Sequence, residues 1–194
     1  MKYINFLIIS ILLLPGIVFA NKTEDMTVIA RKYMGEKIQI HHGIFKIRFL
    51  NTKPIIFFYE HPEKAKSSDK VVTGILLIPV KNNTYKKVKI FTFPQEGGMP
   101  VIASVFIANA DSDKPKELII LCKWEMNHRA LGTRGTYFTT YVFDNKVKNS
   151  KLVRLEKMTN KIGQGLDGIQ NGEEVTFRIK NAKKIKQRLK SLGY

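Results

Sequence analysis

The chain has one cysteine, Cys122, in 194 residues, so no disulfide can form within it. Its stability must come from a core even in an oxidising compartment. Cys122 sits in the apolar run Leu118 to Trp124, where a small buried hydrophobe is the ordinary reading of a free cysteine. Acids are also scarce. Sixteen Asp and Glu face thirty-three Lys and Arg, for a formal charge of +17. That excess suits anionic partners, such as lipid head groups or an acidic protein, and it equally suits a solvated lysine surface. The four histidines show no H-E-x-x-H spacing, and no C-x-x-C is present. There is no G-x-S-x-G elbow, and no glycine pattern of a nucleotide loop set between strand and helix. Nucleic-acid binding lacks any supporting motif.

Long apolar runs are lacking too, apart from one at the start. Lys2 precedes the apolar stretch Phe6 to Leu14, Pro15-Gly16 breaks it, and Val18-Phe19-Ala20 follows. This order of features predicts a secretory signal peptide over residues 1–20, cleaved after Ala20. The run is too short to span a bilayer comfortably. The expected product is a single β-rich domain, residues 21–194, with a periplasmic or secreted location and no transmembrane segment.

Along that domain, Asn21 with Glu24 reads as a capping box. Met26, Ile29, Ala30, Tyr33 and Met34 then recur at helical spacing up to Gly35. The period next changes to two. Strands are expected around Ile38 to Phe49, over Ile55 to Tyr59, and over Val71 to Val80. Val88 to Phe93 would complete a hairpin across an Asn-rich turn. Val101 to Ala108, Glu117 to Trp124, Thr136 to Phe143 and Val175 to Ile179 read as further strands. Gly163 to Gly172 is glycine-rich and reads as a loop. Asn181 caps a basic final helix with Ile185, Leu189 and Leu192 on one side, suited to docking on a sheet. The fold class is α+β: a mainly antiparallel sheet, sandwiched or curved, with a short N-terminal and a C-terminal helix.

Between two of these strands lies Asn109-Ala-Asp-Ser-Asp113-Lys-Pro-Lys-Glu117-Leu118. Its oxygen-bearing side chains, Asn109, Asp111, Asp113 and Glu117, fall at relative positions 1, 3, 5 and 9. A tight loop can turn these inward as a cage for a hard cation. Asn, Asp, Ser and Pro are also the ordinary turn formers, so a plain acidic turn is the competing reading. The stretch resembles the calcium loop of FG-GAP and VCBS repeats, where D-x-D-x-D-G-x-x-D-L joins two strands. The resemblance covers this loop alone, and it implies calcium ligation by Asn109, Asp111, Asp113 and Glu117. Here Asn109, Lys114 and Glu117 stand where the repeats carry Asp, Gly and Asp. A chain of this length cannot build the several blades of their propellers.

A second set of residues suggests a recognition surface. Trp124 ends a strand, Arg129, Arg134 and Tyr137 flank a turn containing Gly132 and Gly135, and arginine beside tryptophan is a common interface composition. The glycine-rich stretch around Asp167 is another candidate. The function expected from the sequence is an exported, non-catalytic binding protein, inhibitor- or immunity-like, acting through loops of a sheet. Its partner would be a protein or an anionic envelope component. The alternatives are a calcium-stabilised domain that binds an envelope glycan or lipid, and an envelope hydrolase with an unfamiliar site.

Overall fold

The computed structural model describes residues 25–60, 71–82 and 84–194. The expected leader, the Asn21–Glu24 capping box and the polar stretch Glu63 to Asp69, which reads as a loop, lie outside the described residues. Within them, eleven strands form one sheet, accompanied by three helices. The α+β class expected from alternation holds, and the sheet is curved and open rather than split into a sandwich.

The first helix, α1, is Met26–Met34, and its described cap is Asp25, whose Oδ1 accepts from the Thr27 N–H. Two short strands follow, β1 (Gln39–Ile40) and β2 (Phe45–Lys46), both antiparallel to β3 (Ile55–Glu60). Next comes the hairpin of β4 (Val72–Pro79) and β5 (Tyr85–Phe93), then the hairpin of β6 (Val101–Ala108) and β7 (Glu117–His128). The hub is β8 (Thr133–Lys148). It pairs with β7 along one edge, and with β9 (Lys151–Arg154) and β10 (Gln164–Gln170) along the other. A single parallel register, Lys89 beside Lys151, joins β5 to β9 and so links the two halves. β11 (Glu173–Val175) borders β10.

Residue parity explains the layers. On β3, Ile56 and Phe58 point into a central core, while Ile55, Phe57 and Tyr59 point outward under α1. On β7, Leu118, Ile120, Cys122 and Trp124 enter the same central core. Ile119 and Leu121 face outward beneath α2 (Glu156–Ile162) and α3 (Ala182–Ser191). Both faces of β7 are therefore dry from Leu118 to Cys122, which is why that stretch runs apolar without alternation. Each such side chain contributes about 1.5–3 kcal/mol of burial. Ile185 and Leu189 of α3 are buried on the sheet, as its narrow apolar stripe predicts.

The curvature brings the sheet's two ends together. Pro100 O accepts from His41 Nε2 at 3.1 Å, and His42 Nε2 accepts from the Ile102 N–H at 3.0 Å. The segment after β1 thus lies beside the start of β6, and side chains close the gap. Burial, reinforced by neighbouring His41, lowers the pKa of His42 to about 4. Adjacent histidines on a strand would face opposite sides. Here β1 ends at Ile40, and the two rings meet edge to face at 4.4 Å.

Two expectations are corrected. The last strand, expected over Val175 to Ile179, is instead β11, which ends at Val175, and residues 176–180 lie in no strand. The glycine-rich stretch is strand β10, not a loop. Its Gly168 lies opposite Gly135, where a Cβ on Gly168 would stand 2.3 Å from Arg134 O and one on Gly135 2.4 Å from Asp167 O. The glycines permit a close backbone approach rather than a break in the sheet.

Candidate functional site: the acidic hairpin loop

The loop between β6 and β7 carries the most unusual electrostatics of the described residues. Ligand oxygens of Asp111, Asp113 and Glu117 lie within 4.8 Å of one another. Asp111 Oδ1 accepts from the Asp113 N–H at 2.9 Å, which fixes the turn. Glu117 is the first residue of β7. Its parity matches Ile119 and Leu121, so it points to the face beneath α2 and α3 and is 0% exposed. Its Oε2 accepts from the Ala110 N–H.

Asp144 joins the cluster. Leu118 pairs with Phe143, so the next antiparallel step sets Glu117 beside Asp144. Asp144 is 4% exposed, and Lys146 Nζ donates to its Oδ2 at 2.9 Å and to Asp113 Oδ2 at 3.2 Å. After these contacts, Glu117 Oε1, Asp113 Oδ1 and Asp144 Oδ1 remain buried without a hydrogen-bond partner among the described residues. Buried acceptors of this kind are rare and costly. Burial is the main cause that raises the Glu117 pKa to about 7. The Asp111 and Asp113 charges add to it, and the Ala110 N–H opposes it.

This donor set is all oxygen, carries a high local negative charge, and is rigid on the strand side. It suits a hard divalent cation and not a soft one. Asp111, Asp113 and Glu117 could each supply a ligand. The fourth residue named from sequence, Asn109, is exposed. Asp144 carried no sequence signal of its own, because its place depends on the β7–β8 register.

The second set of expected residues is divided by the structure. Trp124 is 1% exposed, and its Nε1 donates to Pro94 O at 3.0 Å. Tyr137 is half-buried against it, with ring centroids 6.2 Å apart, and both line a cavity of about 340 Å³ with Glu96, Tyr141 and Gln164. Burial, then the charge of Glu96, raises the Tyr137 pKa. Arg129 and Arg134 are exposed and line a separate concavity of about 770 Å³ together with Glu125, Met126 and Ile169. Between them Leu131 is 67% exposed on a single 3-10 turn. Asp167 belongs to neither cavity lining and pairs with Lys180 at 2.8 Å.

Cys122 faces the core at 0% exposure, and burial raises its thiol pKa well above the ordinary value. His128 lies six residues farther along the same strand, roughly 20 Å away, and is exposed. These two cannot act as a nucleophile and base. Comparison with protein families, curated proteins and solved structures finds no match for this chain. Among the described residues, no helix is long and apolar enough to cross a membrane.

Proposed function

We propose that this chain is a non-catalytic binding protein of the periplasm or the extracellular space, whose β6–β7 loop is ordered by a calcium ion. The supporting observation is the buried Glu117 carboxylate. It is fully enclosed, has one oxygen unpartnered among the described residues, and lies within reach of Asp111 and Asp113. An ion at that point would remove the desolvation problem that pushes Glu117 toward its neutral form. Calcium fits better than magnesium, because the oxygens come from an irregular loop and not from an octahedral frame with several waters. The export half of the proposal rests on the leader pattern of residues 1–20.

The test is thermal unfolding of the isolated protein in calcium against chelator, with N-terminal sequencing of the same sample. The expected result is a chain beginning at Asn21 whose melting temperature rises with calcium, by about 2.7 kcal/mol of stability at a hundredfold excess over Kd. Coincident melting curves would remove the ion. A chain beginning at Met1 would remove the export.

A second reading places a protein partner at the opposite end of the sheet. Leu131 projects between Arg129 and Arg134 beside a concavity, an apolar anchor with flanking cations that suits an acidic protein surface.

A further inference from the structure

The β6–β7 loop divides its charges. Its acids gather near the outer face of the sheet, while Lys114 and Lys116 open onto a different cavity, of about 620 Å³. The opposite wall is the turn between β2 and β3, which contributes Arg48 and Asn51, and Asn145 of β8 completes the polar lining. Among the described residues, no acid lines this cavity. Among the described residues, neither the three cations nor the two amides has an ion pair or a side-chain hydrogen bond. Three cations and two amides therefore surround one space without a carboxylate among the described lining residues. Phe49, Leu50, Ile107 and Pro115 supply an apolar part of the same lining.

The turn in that wall is itself unusual. Phe49 and Thr52 exchange both backbone hydrogen bonds at 3.0 Å, and the two residues between them have positive φ, 53° at Leu50 and 55° at Asn51. Such a turn normally takes Asn and Gly, and leucine at positive φ is strained. The strain keeps an apolar side chain at the rim where glycine would leave none. Strained backbone of this sort gathers at ligand clamps.

We propose that this cavity binds a phosphate-monoester head group carried on an apolar body, with Arg48, Lys114 and Lys116 on the phosphate and Leu50, Phe49 and Ile107 against the apolar part. Arginine matches phosphate oxygens in pairs, and lysine adds point charge. The apolar lining is what separates this ligand from a free anion. The inference deepens the reading of the chain as an envelope binding protein, and it does not need the calcium ion.

The test is a titration in chelator and physiological salt, so that calcium cannot bridge ligand and protein. The probes are dioctanoyl phosphatidate, dioctanoyl phosphatidylcholine and inorganic phosphate. Phosphatidate is expected to bind, and the exposed triple change Arg48→Gln, Lys114→Gln and Lys116→Gln to weaken it about tenfold or more. An equal charge change on α3, Lys183→Gln, Lys184→Gln and Lys190→Gln, is expected to leave affinity within about twofold. Equal losses in the two triples would reduce the effect to diffuse charge and overturn the site. Phosphatidylcholine binding as well as phosphatidate would overturn the phosphate recognition. Inorganic phosphate binding as tightly as phosphatidate would overturn the apolar half. Calcium-independent melting beside intact phosphatidate binding would sink the ion reading and leave this one standing, so the two fail separately.

Discussion

Two of the hairpins with polar turns treat their polar groups in opposite ways. The β4–β5 turn closes on itself. The Val80 N–H donates to Thr84 O, the Thr84 N–H donates to Lys81 O, and Thr84 Oγ1 donates to the same carbonyl at 2.8 Å. Asn82 supplies the positive φ, at 59°. The β6–β7 loop is built from similar residue types, yet it leaves buried carboxylate oxygens at Asp113 and Glu117 unpartnered among the described residues. Turn chemistry alone accounts for the first hairpin and fails for the second. The unpartnered oxygens are therefore not a requirement of hairpin formation, and they are the groups that the proposed ion would satisfy.

The largest way to break this contrast is Glu117→Gln. The amide oxygen can still accept from the Ala110 N–H, and the neutral group no longer favours a cation. In chelator the variant should be as stable as the parent or slightly more so, because no buried charge remains. In calcium it should lose the whole ion-dependent gain, about 2.7 kcal/mol at a hundredfold excess over the parent's Kd. Chemical denaturation in both buffers measures this. A parent-like response to calcium would place the ion elsewhere or nowhere.

The pH dependence sharpens the same point. In the folded chain without calcium, Glu117 holds its proton up to about 7, whereas the unfolded carboxyl releases it near 4.5. The folded state binds the extra proton between those values, so this group's contribution is full below the lower value and is lost as pH rises through about 7. His42 acts in the other direction. Its folded pKa near 4 lies below the ordinary histidine value of 6.5, so its contribution is lost as pH falls through that interval. The two effects oppose below pH 6.5, and Glu117 can be read cleanly above it. From pH 6.5 to 8 the chelated protein should lose roughly 1 kcal/mol, and Glu117→Gln should abolish that slope. A flat parent profile would show Glu117 already ionised without a cation.

Much of the fold was legible because period-two patterning depends only on neighbouring residues. The apolar pattern of Val101 to Ala108 matches the bounds of β6, and Asn181 is the cap its position before the basic helix implies, with its Oδ1 accepting from the Lys184 N–H. What the sequence hides is short elements and cross-strand pairing. The helix α2 is only seven residues long and follows a strand directly, so its period had too few turns to register. Gly165 and Gly168 suggested a loop because their reason, a close approach to neighbouring side chains and to β8, lies across the sheet. The site was legible in the same measure. Asp111, Asp113 and Glu117 share a local spacing, whereas Asp144 reaches them only through the register of Leu118 with Phe143. The cavity proposed for a phosphate group joins Arg48 to Lys114 through sheet curvature, which no local pattern encodes.

The smallest effect is the control that gives the contrast its meaning. Thr84→Ala removes one exposed side-chain hydrogen bond to Lys81 O and leaves the two backbone bonds of that turn in place. Its expected cost is about 0.5 kcal/mol, the low end for a net hydrogen bond, because water can replace the lost donor. The cost should be the same in calcium and in chelator, since no carboxylate takes part in those bonds. Denaturant midpoints at constant slope measure it. A calcium-dependent cost at Thr84 would mean that the ion stabilises hairpins across the whole sheet. The difference between the two turns would then say nothing about where the ion sits. A calcium-independent cost at Thr84 beside a fully calcium-dependent one at Glu117 confines the ion to the loop whose buried oxygens lack partners.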